Sequence, residues 1–217
     1  MGMDGLSNTA SVLLEKLRSY HADTFSHSLR VSWLFRHLLR ETSCFPGLEK
    51  PLFLGALLHD IGKLDIPTSI LDKKDPLTDD EWRLIKTHPL KSYLYLKEAI
   101  PIRECLDIAL YHHERWDGNG YARIRRDLLP DYAFLFSIVD AFDAMTSKRA
   151  YNDVLTVRQA LEEIRKNSGT QFSPAAVEIF CRLSEAELAA IMADIFTDGA
   201  RLLEDIRHYL SSHVFAS

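Results

Sequence analysis

At 217 residues, with 47% apolar side chains and only nine glycines and eight prolines, the chain is long enough for one large domain and too poor in breakers for a linker-rich protein. A net charge of −5 excludes the overall basic field that would recruit DNA or an anionic membrane. Cys44, Cys105 and Cys181 are odd in number and scattered, so they read as thiols of a reducing compartment. With neither a leader-like segment nor an apolar run of about 18 residues, a cytoplasmic soluble protein is expected.

Apolar residues recur at helical spacing in nearly every segment, and no alternating strand is found, so the expected fold class is all-α. Residues 1–9 read as frayed and 10–20 as a short helix with Val12, Leu13 and Leu17 inward. Asp23-Thr24 caps a helix to about Arg40 whose stripe holds His27, Val31, Leu34 and Leu38. A helix from about Pro51 runs into His59-Asp60, where Gly62 is read as ending it, and 66–76 is a loop. Thr78-Asp79-Asp80-Glu81 matches a capping box ahead of Trp82 and Ile85, and His88-Pro89 is expected to kink or restart the helix. A helix from about Ile102 ends at His112-His113; a polar loop over 114–130 follows, with Gly118 and Gly120 as turns. Asp131 to about Met145 puts Ala133, Phe136, Asp140 and Asp143 on one side. Thr156, Ser173-Pro174 and Ser184-Glu185-Ala186-Glu187 cap three further helices. The last helix, about 199–212, is amphipathic and either closes the core or dimerises.

Five of the nine histidines (His27, His59, His88, His112, His113) fall on helix faces or at helix ends. Asp60 and Asp140 add carboxylates. Imidazole and carboxylate together suit a divalent transition metal, and seven donors exceed what one tetrahedral ion needs. They fit two ions sharing a bridging carboxylate. Lys63, three residues after Asp60, suits a phosphate. His21, His37, His208 and His213 lack such a setting and read as surface or core residues.

The segments that carry these residues resemble the HD-GYP branch of the HD-domain metal-dependent phosphohydrolases. They are Thr24-x-x-His27-Ser28-x-Arg30-Val31, His59-Asp60-Ile61-Gly62-Lys63, His88-Pro89, and His112-His113-Glu114-Arg115-x-Asp117-Gly118-x-Gly120-Tyr121. Asp140-Ala141-Phe142-Asp143-Ala144-Met145-Thr146-Ser147-x-Arg149-x-Tyr151 and Gly169-Thr170-x-Phe172-x-Pro174 complete them, in register across about 20–180. The resemblance implies an HD-domain-like helical bundle with a metal centre between helices: an N-terminal segment at 1–20, the catalytic domain at 21–180 and C-terminal helices at 181–217 packed on it. It implies one ion on His27, His59, Asp60 and Asp140 and a second on His88, His112 and His113, with Asp60 bridging, iron or manganese foremost. A third ion in some members sits on a glutamate four residues before the first histidine; here that position is Asp23, whose shorter side chain disfavours it. Lys63 and Asp60 are implied as catalytic. Lys63, Arg149, Tyr121, Arg115 and Asp143 are implied as substrate contacts, Asp143 with the preferred role of orienting a ligand or contacting bound water.

The chain departs from the family in two substrate-facing loops. Gly-Tyr-Pro is here Gly120-Tyr121-Ala122, and the glycine that usually follows is replaced by Arg123-Ile124-Arg125-Arg126. Arg-Pro-Tyr with a following basic residue is here Arg149-Ala150-Tyr151-Asn152. Without proline both loops are expected to be less rigid. The leading expectation is a phosphodiesterase that opens a cyclic dinucleotide, cyclic di-GMP foremost. The alternatives are a phosphohydrolase of another nucleotide or phosphate ester, and a metal-stabilised signalling module without turnover. Domains of this kind often follow a receiver or sensory domain, so a signalling partner or a homodimer is a further expectation.

Overall fold

The computed structural model describes residues 3–147, 154–197 and 199–211, and among these the only β feature is an isolated bridge between Ser168 and Phe172. The all-α expectation holds. Helix α1 (Met3–Tyr20) begins well before residue 10 and buries Ala10, Leu13, Leu14 and Leu17. Val12 is 48% exposed, against expectation, because it lies about 100° around the helix from Leu13 and off that stripe.

Helix α2 (Ala22–Thr42) is capped by His21 rather than by Asp23 or Thr24. The imidazole Nδ1 of His21 accepts the Thr24 N–H at 3.1 Å, and its Nε2 lies 3.0 Å from Asp72 Oδ1. A ring nitrogen lone pair thus serves where a side-chain oxygen usually does. The α2 stripe buries His27, Val31, Leu34 and Leu38 as expected.

Helix α3 (Glu49–Leu58) is buried continuously from Leu52 to Leu58 and packs between α2 and α7, which makes it the central element. A 3-10 turn over Ile61–Asp65 follows, then the single-turn α4 (Thr68–Leu71) inside the expected loop. Helix α5 (Asp79–Ile85) carries the expected capping box of Thr78 and Glu81. Helix α6 (His88–Ala99) restarts with Pro89 in its first turn, where no backbone donor is missed. Helix α7 (Arg103–Tyr111) ends on His112, and α8 (Asp131–Thr146) follows the polar loop.

Helices α9 (Val157–Lys166) and α10 (Pro174–Phe180) are capped by Thr156 and Ser173. Ahead of α11 (Glu185–Thr197), Ser184 accepts the Glu187 N–H at 3.2 Å. Helix α12 (Gly199–Ser211) closes the core rather than standing free: Leu202 and Ile206 are buried, Tyr209 donates to Glu49, and Ser7 donates to the Leu210 carbonyl. Five fully buried phenylalanines (Phe35, Phe53, Phe136, Phe142, Phe180) anchor the interior. Each such side chain stabilises by roughly 1.5–3 kcal/mol, so the histidines at the helix ends sit on a rigid frame.

Candidate metal centre

Asp60, at the junction of α3 and the 3-10 turn, is 1% exposed and stands between two groups of histidines. Its Oδ2 lies 3.4 Å from His59 Nε2 and 4.0 Å from His27 Nε2, while its Oδ1 lies 3.2 Å from His88 Nε2 and 3.8 Å from His112 Nε2. Asp140 on α8 completes the first side, with Oδ1 2.9 Å from His27 Nε2 and 3.8 Å from His59 Nε2. His113 completes the second: ligand atoms of His88, His112 and His113 all fall within 4.8 Å of one another, as do those of His27, His59 and Asp60. Helices α2 and α8 and the ends of α3, α6 and α7 converge here.

The hydrogen bonds on the far side of each ring show what these atoms face. His59 Nδ1 bonds the Ala56 carbonyl at 2.7 Å, His88 Nδ1 the Ile85 carbonyl at 2.7 Å, and His112 Nδ1 the Ala109 carbonyl at 2.9 Å. A carbonyl only accepts, so each Nδ1 carries the proton and each Nε2 presents a lone pair inward. His88 and His112 therefore point lone pairs at each other across 3.0 Å. Two acceptors at that distance repel unless a cation or a proton lies between them. His59 Nε2 and Asp60 Oδ1 are moreover buried with no hydrogen-bond partner, a costly arrangement in an interior. Neutral imidazoles and carboxylates turned to a common centre are the donor set of a divalent metal, and these residues fit one.

For His88, His112 and His113 the ionisation states agree. Burial, then the neighbouring imidazoles, hold His112 well below its ordinary value; burial and His88 push His113 down to about 3; burial lowers His88 despite the neighbouring Asp60 carboxylate. Burial also disfavours a charged His59, but Asp60 and Asp140 outweigh it and raise that pKa. Burial works against the Asp60 and Asp140 carboxylates, yet Lys63 and His59 hold the former well below the usual range and His27 does so for the latter. Lowered groups take up protons in the unfolded chain before the folded one, so stability is lost as pH falls through the unfolded values near 6.5 and then 3.8. The metal-free chain is expected to show a falling urea midpoint from pH 7 to pH 4, with His59 alone of these groups opposing the trend. A midpoint flat over that range would contradict it.

Asp143 does not line the site, which corrects its expected place among the substrate contacts. It is fully buried behind His27, bonded to His27 Nδ1 at 2.7 Å, to Arg30 through Nε at 2.8 Å and a terminal nitrogen at 3.0 Å, and to Ser147 Oγ at 2.8 Å. With its lone pairs so occupied, its carboxylate fixes the His27 ring with Nε2 inward. Arg30 was missed as a functional residue, although its spacing of three from His27 puts the two on one face of α2. Lys63 Nζ sits 2.6 Å from Asp60 Oδ2. It lines both cavities that open from the centre, one of about 300 Å³ and one of about 600 Å³. Asp23 lies on the wall of the larger cavity, outside both ligand groups. Arg115 lines the smaller one and pairs with Asp117 at 2.8 Å. Arg149 lies outside the described residues, with Ala150, Tyr151 and Asn152.

Tyr121 lines both cavities, its ring centre 4.5 Å from that of His113, and burial raises its pKa to about 12, so the hydroxyl keeps its proton. Its loop is built on Glu114, a second residue whose role the sequence did not disclose. Glu114 is 4% exposed and accepts the Ala122 N–H at 2.7 Å and the Ile124 N–H at 2.8 Å. Gly120 is required by contact rather than by turn geometry: a Cβ there would stand 2.6 Å from Glu114 Cα. The substitution of proline by Ala122 therefore does not loosen this loop, because the N–H that proline lacks is tied to a buried carboxylate. Arg123 takes a left-handed φ of 55°, the conformation in which glycine is at ease. Ala122→Pro is expected to lower stability by about 1.5–3 kcal/mol, read from urea unfolding; an unchanged midpoint would remove Glu114 as the loop's anchor.

A helical bundle that closes around a His-Asp pair, with further histidines at the surrounding helix ends, defines an HD domain. The HD domain family matches residues 11–176, and the chain belongs to that family, in its HD-GYP branch. It is 36% identical over 177 residues to a cyclic di-GMP phosphodiesterase of Thermotoga maritima, covering 80% of this chain and 48% of that one. It is 33% identical over 196 residues to a cyclic di-GMP phosphodiesterase of Vibrio cholerae, covering 82% and 39%. The chain thus spans half or less of the length of these relatives. Its fold is similar to that of a cyclic GMP-AMP specific phosphodiesterase from Vibrio cholerae, with a TM-score of 0.65 at 17% identity over 94% of this chain and 53% of that one. No described helix is long and apolar enough to cross a membrane.

Proposed function

We propose that the chain is a metal-dependent phosphodiesterase that hydrolyses a cyclic dinucleotide, cyclic di-GMP foremost. The observation that carries this reading is Asp60 offering one oxygen to each of two histidine groups whose Nε2 atoms turn inward towards it. Its relatives' activities support the substrate class. His27, His59, Asp60 and Asp140 would hold one divalent ion, and His88, His112 and His113 the other, with Asp60 common to both and iron or manganese the preferred metals. Such a pair, when bound, supplies Lewis acidity that neutralises a phosphodiester and lowers the pKa of water towards neutrality.

The chain's own residues then position the substrate. Lys63 holds its ammonium beside Asp60 at the mouth of both cavities, where it meets a non-bridging phosphate oxygen and steadies the charge that grows there. The hydroxyl of Tyr121, which lines both cavities, is a further donor. Arg115 presents a guanidinium at the rim of the smaller cavity, and Arg149 is the second phosphate clamp, a two-point grip suited to guanidinium. Asp143 and Arg30 keep His27 in register. The chain acts alone or with a signalling partner, as a monomer or a homodimer.

The test is hydrolysis of cyclic di-GMP, 3′3′-cyclic GMP-AMP and cyclic di-AMP by metal-loaded protein, with and without chelator. Chelation-sensitive opening of at least one ring is expected. Metal-loaded protein inert to all three contradicts the reading. The altered Gly120-Tyr121-Ala122 loop favours a second reading, a phosphohydrolase of another phosphate ester, which release of phosphate from a nucleoside triphosphate with no cyclic dinucleotide turnover would support.

A further inference from the structure

The two cavities that open from the metal centre are unlike. The smaller is walled by Arg115, Asn119 and Gln171 together with Ala141 and Ala144. The larger shares Lys63, His88, His113 and Tyr121 with the centre and is walled also by Leu71, Leu77, Trp82 and Ile85, among charged residues such as Asp72 and Lys73. Its volume of about 600 Å³ lies within the range of small-molecule sites. Trp82 is 44% exposed although it has the largest apolar side chain available, and it lines this cavity.

The helix that presents Trp82 is short but firmly held. Its first turn is closed by the reciprocal bonds of Thr78 and Glu81, and Lys73 binds the Glu81 carboxylate at 2.8 Å, tying α5 to the preceding loop. One cavity thus carries both a lysine beside the metal-ligating histidines and a firmly held aromatic ring, which complement the phosphate and the base of a nucleotide. Aromatic side chains stack on bases of any sequence, since every base has a π-face.

We infer that Trp82 is a substrate-binding residue: the platform on which one base of the substrate stacks while the adjoining phosphodiester lies at Lys63. The inference rests on the phosphodiesterase reading of the centre. It makes the two halves of a cyclic dinucleotide inequivalent on the protein, one base against Trp82 and the other in the smaller cavity.

The test uses the full chain in two readouts. With Trp33 and Trp116 replaced by phenylalanine, Trp82 is the sole indole, and its fluorescence is titrated with cyclic di-GMP and with ribose 5-phosphate, which has no base. In parallel, KM and kcat are measured for Trp82→Ala and Trp82→Phe. Saturable quenching by cyclic di-GMP and none by ribose 5-phosphate is expected. Trp82→Ala should raise KM about tenfold with kcat within about twofold of the parent, and Trp82→Phe should recover most of the loss. Quenching without turnover keeps the platform and removes the hydrolase reading. Turnover with unchanged KM in Trp82→Ala, or no quenching, overturns the platform.

Discussion

Replacing Asp60 with alanine is expected to cut cyclic dinucleotide hydrolysis by at least about a thousandfold and to deplete bound metal on both sides of the centre. The size follows from its position. One oxygen faces His59 and His27 at 3.4 and 4.0 Å, the other His88 and His112 at 3.2 and 3.8 Å, so one substitution removes a donor from each group. No other residue here does that: Asp140 reaches only the first side and His113 belongs to the second. The fold should survive, because Lys63, left without its partner, is 19% exposed and able to turn to solvent. Metal content per chain and kcat, with circular dichroism as the control, check this. A folded variant that keeps more than a tenth of the activity would show that the carboxylate does not join the two groups.

The second large effect is expected at Gly62. The sequence suggests that this glycine ends the helix bearing His59 and Asp60, but α3 stops at Leu58 and Gly62 lies inside the 3-10 turn without a positive φ. Its role is contact. A Cβ there would fall on the His88 carbonyl oxygen and stand 2.5 Å from the Ser92 nitrogen, both of them backbone atoms of α6. Gly62 also donates its N–H to Ser92 Oγ at 2.8 Å. Gly62→Ala must push α6 away from the 3-10 turn, and with it His88 from the Asp60 oxygen 3.2 Å distant. Overpacking of this kind costs about 1–3 kcal/mol or more, and loosening the second histidine group should lower metal affinity by roughly 10–100-fold, as when a ligand's supports are lost. Urea unfolding and metal titration read the two effects separately. A variant with parental stability and affinity would mean that the approach of α6 is not what Gly62 secures.

These two sites mark what the sequence discloses and what it does not. The helices, the capping boxes at Thr78 and Thr156, and the break before His88 are local features of spacing and cap chemistry, so one strand of text carries them. The histidines were legible because His59, His88, His112 and His113 stand at helix ends joined by loops and His27 on the apolar stripe of α2, which is how distant imidazoles are brought to one centre. Contacts across the fold were not. Asp143 and Arg30 are 113 residues apart, and although Asp143 is expected to orient a ligand, nothing in either segment says that the ligand is His27 or that Arg30 shares the carboxylate. Glu114 reads as a charged residue beside a histidine pair until the Ala122 and Ile124 amides are seen to converge on it. The steric demand at Gly62 likewise exists only once α6 is laid against it. His21 looked like a spare histidine and is a helix cap, because a ring nitrogen replaces the oxygen that cap patterns are written for.

The central claim is that Asp60 stands between two cation sites. Anomalous diffraction from crystals grown with manganese tests it most directly. Two peaks about 3.5–4 Å apart are expected, one among His27, His59 and Asp140 and one among His88, His112 and His113, with an Asp60 oxygen towards each. A map with no peak at this centre, and the imidazole Nε2 atoms turned away from Asp60, would contradict the account.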